Sequence, residues 1–236
     1  MKISITGLGY VGLSNALLLA KNAEVVAYDS STNLIKSLQA RETNFNDQEI
    51  QEYLREKNLN IHFTNDAEEA YIDADYAIIS IPTDFDDKKK SFETFPIKLV
   101  AKDIIKINPN AVIVIKSTVP IGFTESLKSS LKHEKIIFSP EFLREGFALF
   151  DNLYPSRIIA GGDKTIAENF ANLLKVGAKK EKIDVLIASS SEAEAIKLFS
   201  NAYLAMRIGY FNELDSFAET NQLNSEKIIQ GVSLDP

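Results

Sequence analysis

Lys197 and Asn201 stand four residues apart in a stretch with helical periodicity, which puts them on one helix face. Their stripe runs back to Ala193 and forward to Leu204 and Ile208, so it is otherwise apolar. An ammonium and an amide N–H side by side can stabilise a developing alkoxide or oxyanion, and burying both without partners is costly. The same pattern also fits a lysine whose ammonium reaches out to water and an amide that caps a neighbouring loop. Glu141 and Glu145 repeat the spacing of four. On a helix they form either a pair that accepts a proton and orients a water, or a solvated turn with Arg144 as counter-charge.

A second group of residues points to a nucleotide. Gly7-Leu8-Gly9-Tyr10-Val11-Gly12 follows the apolar run Ile3-Ser4-Ile5, and the next apolar run, Glu24 to Tyr28, ends in Asp29. In this order Gly7 allows a sharp turn, Gly9 lets a pyrophosphate reach the backbone, and Gly12 lets a helix pack close to its strand. A helix opening at Tyr10 and Val11 would turn free N–H groups and a partial positive charge towards that pyrophosphate. Asp29 would take the ribose hydroxyls and repel a 2′-phosphate. The expected cofactor is NAD.

Four segments fall where ligands sit in a parallel sheet, beyond the carboxyl ends of strands. They are the glycine turn, Ser80-Ile81-Pro82-Thr83, Lys116-Ser117-Thr118-Val119-Pro120 and Ser139-Pro140-Glu141-Phe142. Each offers a hydroxyl or carboxylate to a shared cleft; singly, each also reads as an ordinary turn, because Ser, Thr and Pro favour turns. Thr83 joins the glycine turn and Asp29 as a cofactor contact in this reading.

The elements that must hold these groups alternate. Strands are expected at Lys2–Thr6, Glu24–Tyr28, Ile61–Thr64, Tyr76–Ile81, Ala111–Lys116, Lys135–Phe138, Arg157–Ala160 and Ile183–Ile187. Helices are expected at Val11–Lys21, Asn33–Ala40, Asp47–Lys57, Phe95–Ile107, Gly122–Leu131 and Lys164–Leu174. The charged stretch Asp84 to Lys90 reads as a solvated loop. The pattern predicts an α/β fold: a Rossmann-type, doubly wound, mostly parallel sheet over residues 1–190. From a capping box at Ser191-Glu192-Ala193-Glu194, a helical pattern then runs to about Thr220. Two apolar seams, one through Ile196, Phe199, Tyr203, Met206, Tyr210, Leu214 and Phe217 and one through Ala195, Leu198, Ala202 and Ala205, suggest a spine covered on more than one side. Residues 191–236 are thus expected to be a central helix and the start of a helical domain.

Composition narrows the field. The 33 acids against 26 bases, net −7, argue against a nucleic-acid surface. No apolar run has transmembrane length and no secretion signal is expected, which predicts a cytoplasmic enzyme without a membrane partner. There are no cysteines, so disulfides and thiolate metal sites are excluded from these residues. His62 and His133 lie apart without acid clusters, and no metal is expected.

Five blocks in order resemble the UDP-glucose/GDP-mannose dehydrogenase family: Gly7–Gly12, Ser117-Thr118-Val119-Pro120, Ser139–Gly146, Pro155-Ser156-Arg157 and Glu194–Asn201. The stretch Asp151–Arg157 is more similar to the members that act on UDP-glucose. The resemblance implies oxidation of the C6 alcohol of UDP-glucose to UDP-glucuronate with two NAD. It implies that Thr118 and Glu141 position water and relay protons, and that Glu145 contacts the nicotinamide side. Lys197 and Asn201 would stabilise the oxyanion, and the backbone at Phe142 and Leu143 would touch the substrate. The family also uses a cysteine nucleophile, which this sequence lacks. The chain therefore resembles the amino-terminal part of such an enzyme, expected to be a homodimer through the central helix and inactive alone. Two other readings stay open on the residues: a β-hydroxyacid dehydrogenase of the hydroxyisobutyrate or 6-phosphogluconate type, and a non-catalytic NAD-binding or dimerisation module.

Overall fold

The first strand sets the two sides of the sheet. In the computed structural model, which describes residues 1–56, 58–88 and 91–234, β1 (Lys2–Thr6) is buried from Ile3 onward. Successive side chains of a strand point to opposite faces. Ile3 and Ile5 join the core cluster with Leu13 and Leu17 of α1 (Tyr10–Leu19), whereas Thr6 meets the Tyr71 hydroxyl of α4 (Ala67–Tyr71) at 2.9 Å. Helices therefore cover both faces. On the first, α1 packs against α3 (Gln48–Leu54), α7 (Ala148–Leu153) and α8 (Lys164–Gly177). On the second, α4 packs against α5 (Phe95–Ile107).

The remaining strands are β2 (Glu24–Tyr28), β3 (Ile61–Thr64), β4 (Tyr76–Ile79), β7 (Val112–Ile115), β8 (Ile136–Phe138), β9 (Arg157–Gly161) and β10 (Asp184–Ala188). They form one eight-stranded sheet in the order β10-β9-β8-β7-β4-β1-β2-β3. The six strands from β8 to β3 are parallel, while β9 meets β8 antiparallel through Phe138 and Gly161 and carries β10 parallel to itself. The chain moves from β1 outward to β2 and β3, then returns to β4 on the other side of β1. That reversal opens a crevice at the carboxyl ends of β1 and β4. All eight expected strands are present.

Several local expectations change. α4 and α7 were not expected; at five and six residues they are too short to show a helical repeat, and Asp66 starts α4 by accepting the Glu68 and Glu69 N–H groups. α2 (Thr32–Gln39) and α6 (Phe123–Leu131) lie close to expectation. α3 ends at Leu54, and Lys57 lies outside the described residues. The stretch from Asp84 contains β5 (Phe85–Asp86), paired antiparallel with β6 (Ser91–Phe92), with the rings of Phe85 and Phe92 5.3 Å apart. Lys89 and Lys90 lie outside the described residues.

Residues 1–195 make one compact unit and residues 196–236 a second. The second holds most of α9 (Ser190–Thr220), 31 residues long, and α10 (Ser225–Val232), which Asn224 caps by accepting the Lys227 N–H. The capping box of α9 is not at Ser191 and Glu194. Ser189 and Glu192 form it: the Ser189 N–H and hydroxyl both donate to the Glu192 carboxylate at 2.8 Å. Along α9 the expected seam at Phe199, Tyr203, Met206, Tyr210 and Phe217 is exposed in this chain. Among the described residues no helix is long and apolar enough to cross a membrane, and no group of His, Cys, Asp and Glu could hold a metal.

Candidate cofactor and substrate site

The three glycines after β1 differ in what surrounds them. Gly7 has φ +86°, a conformation that side chains rarely adopt, and its carbonyl accepts the Ser80 hydroxyl at 3.1 Å. A Cβ on Gly12 would overlap the Gly7 carbonyl oxygen and come within 2.7 Å of Ser80 Oγ, so α1 can cross the turn only with glycine there. Around Gly9 a Cβ would meet nothing within 4 Å. The turn is closed where helix meets strand and open where a ligand's phosphates would come. α1 starts at Gly9 with no side-chain cap, so its first N–H groups face that opening without a protein acceptor from the cap residue. Asp29, at the end of β2, accepts the Leu8 N–H on one oxygen and the Ser31 N–H on the other, both at 2.9 Å. Its carboxylate is thereby fixed beside the turn. Tyr10 stacks on Phe45 with centroids 4.4 Å apart, which orients the first turn of α1. These features fit a dinucleotide.

The neighbouring rim is laced together through its backbone. Ser117 donates its hydroxyl to the Ile81 carbonyl at 2.6 Å, and Thr83 donates to the Thr118 carbonyl at 2.8 Å. Ser139 is fully buried and donates to the Ile159 carbonyl at 2.9 Å. The hydroxyls of Ser80, Ser117 and Ser139, expected to face a shared cleft, are thus spent on main-chain carbonyls. Thr118 is half-buried between these ties.

Glu141 and Glu145 do not share a helical face. Residues 141–147 are irregular and α7 begins only at Ala148, after Gly146 has taken φ +82°. Glu141 is half-buried and turns one oxygen back to the Leu143 N–H at 2.8 Å; Glu145 is exposed. Arg144 is not a counter-charge for these acids. Its backbone N–H, Nε and Nη2 all donate to Asp151 of α7, at 2.8, 3.1 and 2.7 Å. Phe142 carries the guanidinium of Arg157, at the start of β9, 3.7 Å from its ring centroid. Phe142, Leu143 and Arg157 line a cavity of about 340 Å³ with Lys116 and Tyr154.

In the second unit, Lys197 is 6% exposed, but Asn201 is exposed, as are Leu204 and Ile208. The expected covered stripe therefore holds at Lys197 and fails from Asn201 onward within this chain. Sequence reasoning read Glu194 only as a capping-box acid within a family block and gave it no role in the site. It is fully buried and accepts the Gly122 N–H at 2.5 Å, the Thr124 N–H at 2.8 Å and the Thr124 hydroxyl at 2.6 Å. Its signal was available: an acid three residues before Lys197, one helical turn along the same face.

A parallel sheet with a glycine turn at its switch point, an uncapped helix behind it and an acid at the end of the next strand defines the dinucleotide-binding domain of a dehydrogenase. The chain belongs to the UDP-glucose/GDP-mannose dehydrogenase family: residues 1–190 match its NAD-binding domain and residues 191–236 its central domain. It is 46% identical over 237 residues to the UDP-glucose 6-dehydrogenase of Campylobacter jejuni, an alignment covering all of this chain and 60% of that protein. The UDP-glucose 6-dehydrogenase of Streptococcus pneumoniae is 45% identical over all of this chain and 61% of its own length. The solved UDP-glucose dehydrogenase of the archaeon Pyrobaculum islandicum superposes with a TM-score of 0.89 at 29% identity, over 99% of this chain and 56% of that one. This chain spans about three-fifths of the length of these two bacterial relatives. Its cofactor is NAD.

Proposed function

We propose that this chain is the cofactor-binding part of an enzyme that oxidises UDP-glucose twice at C6, to UDP-glucuronate. The observation that carries this reading is the junction of the open glycine turn with the rim segments bearing Thr118 and Glu141. Bound NAD supplies the hydride acceptor for each oxidation. Asp29 holds the adenosine ribose, Tyr10, Val11 and Thr83 complete the cofactor contacts, and Glu145 touches the nicotinamide side. Thr118 and Glu141 position water and relay the proton released as the alcohol becomes an aldehyde. The backbone at Phe142 and Leu143 contacts the sugar nucleotide. Lys197 and Asn201 stabilise the oxyanion.

The second oxidation needs a nucleophile to hold the aldehyde, and serine or threonine hydroxyls are poor nucleophiles near neutral pH. Residues 1–236 contain no cysteine, so a thiol for this step lies outside them. Residues 1–236 alone should bind NAD and give no steady-state NADH with saturating UDP-glucose. Two NADH per UDP-glucose from these residues alone would overturn the assignment of a thiol. A reaction on a nucleotide sugar with NAD supports a cytoplasmic location. The exposed Phe199, Tyr203 and Met206 support a homodimer through α9, which a light-scattering mass checks.

A further inference from the structure

The buried carboxylate of Glu194 does a job that the reaction scheme above leaves unassigned. Among the described residues six helices carry their own side-chain cap: Ser31 for α2, Asp47 for α3, Asp66 for α4, Asp163 for α8, Ser189 for α9 and Asn224 for α10. α6 starts differently. Its cap residue is Gly122, with φ +85°, which offers no side chain to the first N–H groups. Glu194, 72 residues further on in the sequence, fills that place. Its Oε2 accepts the Gly122 N–H, while its Oε1 accepts both the N–H and the hydroxyl of Thr124. Thr124 is fully buried, so its two bonds are shielded from water, while the Gly122 bond is part-buried. A carboxylate at a helix N-terminus also gains from the helix dipole, and bonds to a charged acceptor are the stronger kind.

These bonds close one side of a short segment whose other side is already tied. Leaving β7, the chain is held to residues 81–83 by the Ser117 hydroxyl and by the Thr118 carbonyl. It then passes Val119, which is buried, and Pro120, whose carbonyl accepts the Phe123 N–H at 3.1 Å. At Gly122 it reaches the Glu194 carboxylate. Thr118 therefore opens a span of four residues, ending at Ile121, that is tied at the Thr118 carbonyl and closed at Gly122 by Glu194. Gly122 is the weak point: a glycine in the left-handed region gives the least backbone resistance to movement, and the carboxylate supplies what the backbone does not.

The geometry points to Glu194 as a positioning residue for the reaction: by fixing Gly122 and Thr124 it sets where Thr118 stands at the reacting carbon. This rests on the role proposed above for Thr118. Glu194 is fully buried and acts through Gly122 and Thr124. A misplacement of about 1 Å at a reacting group can cost a hundredfold in rate, so loss of this clamp should appear in turnover before it appears in NAD affinity.

The test is a double-mutant cycle in the protein as the cell makes it. Glu194→Gln keeps the shape but sets an NH₂ group against one of the three donors. Thr124→Val removes only the hydroxyl bond and guards against a Glu194 variant that fails to fold. With UDP-glucose and NAD, Glu194→Gln should lower kcat about tenfold to a hundredfold and Thr124→Val by less, with the dissociation constant for NAD unchanged. In a Thr118→Ala background both losses should largely vanish, because the residue being positioned is gone. Equal fold-losses in both backgrounds, or a parallel loss of NAD affinity, would overturn the inference and leave Glu194 a general structural cap. The reading of Thr118 fails separately, if Thr118→Ala alone leaves kcat unchanged. Amide hydrogen exchange decides the clamp whatever the substrate proves to be. The amides of Gly122, Ile121 and residues 117–119 should exchange faster in Glu194→Gln, and unchanged protection there would overturn it.

Discussion

The glycine turn and the rim segments bearing Thr118 and Glu141 lie at the same edge of the sheet and are built on opposite principles. The turn is shaped by what is missing: no Cβ fits at Gly12, a positive φ excludes one at Gly7, and open space surrounds Gly9. Its contacts are backbone contacts. The rim is shaped by side chains that bond to other segments, Ser117 to Ile81, Thr83 to Thr118 and Glu194 to Gly122 across the fold and Arg144 to Asp151 nearby. A backbone site tolerates little substitution and recognises a common cofactor. A side-chain site can be retuned one bond at a time, which suits the part that must recognise a particular sugar.

The sharpest break of that contrast is at Gly12. Gly12→Ala should destabilise the fold by about 3 kcal/mol and abolish NAD binding, since neither the Gly7 carbonyl nor α1 can yield. Gly9→Ala should leave stability within about 0.5 kcal/mol of the parent while still weakening NAD, because its Cβ would occupy only the open side. Thermal unfolding with calorimetric titration of NAD separates the two; equal destabilisation would show that the open side is not open. Next in size, Lys197→Ala should lower turnover on the order of a hundredfold to a thousandfold with NAD affinity kept. Unchanged turnover would make Lys197 a packing residue.

Smaller effects sharpen the contrast. NAD should bind more tightly than NADP, because a 2′-phosphate would meet the Asp29 carboxylate. Asp29→Ala should narrow the gap mainly by weakening NAD, and should also loosen the turn through the lost Leu8 bond. Competitive titration with both nucleotides measures this, and tighter NADP binding by the parent would refute it. The smallest effect lies on α6, where the hydrogen bond from Lys128, at 2.8 Å, holds the Glu125 carboxyl below its ordinary value of 4.5. A lowered folded value means the contribution is complete above 4.5 and is lost as pH falls through the folded value. Glu125 is largely exposed, so Glu125→Gln should flatten the acid side of the stability profile by only about 1 °C in melting temperature.

The same division explains what could be read from the residues alone. The eight strands and the glycine turn were legible because apolar runs and missing side chains are local signals. The irregular path of residues 141–147 was not, because spacing of four says nothing about whether a helix forms; there the Arg144–Asp151 bonds and the left-handed Gly146 decide the path. Ser189 and Glu192 were overlooked as the capping box because Ser191 and Glu194 match the same pattern two residues later. What distinguishes them is Glu194's engagement with a helix 70 residues away, a long-range fact. The exposure of Asn201, Leu204 and Ile208 likewise depends on what lies around α9, which an amphipathic pattern cannot specify.

Two helices begin at glycines, and they meet the same electrostatic need in different ways. α6 receives its anion from within the protein, through Glu194, so its first turn is complete as soon as the chain folds. α1 has no cap from Gly9 and waits for an anion from outside. Cofactor occupancy is therefore part of this protein's thermodynamic stability. A ligand at a hundred times its dissociation constant adds about 2.7 kcal/mol to the native state, a large share of what a typical domain has in total. In a cell, the lifetime of this polypeptide against proteolysis should rise and fall with the supply of NAD.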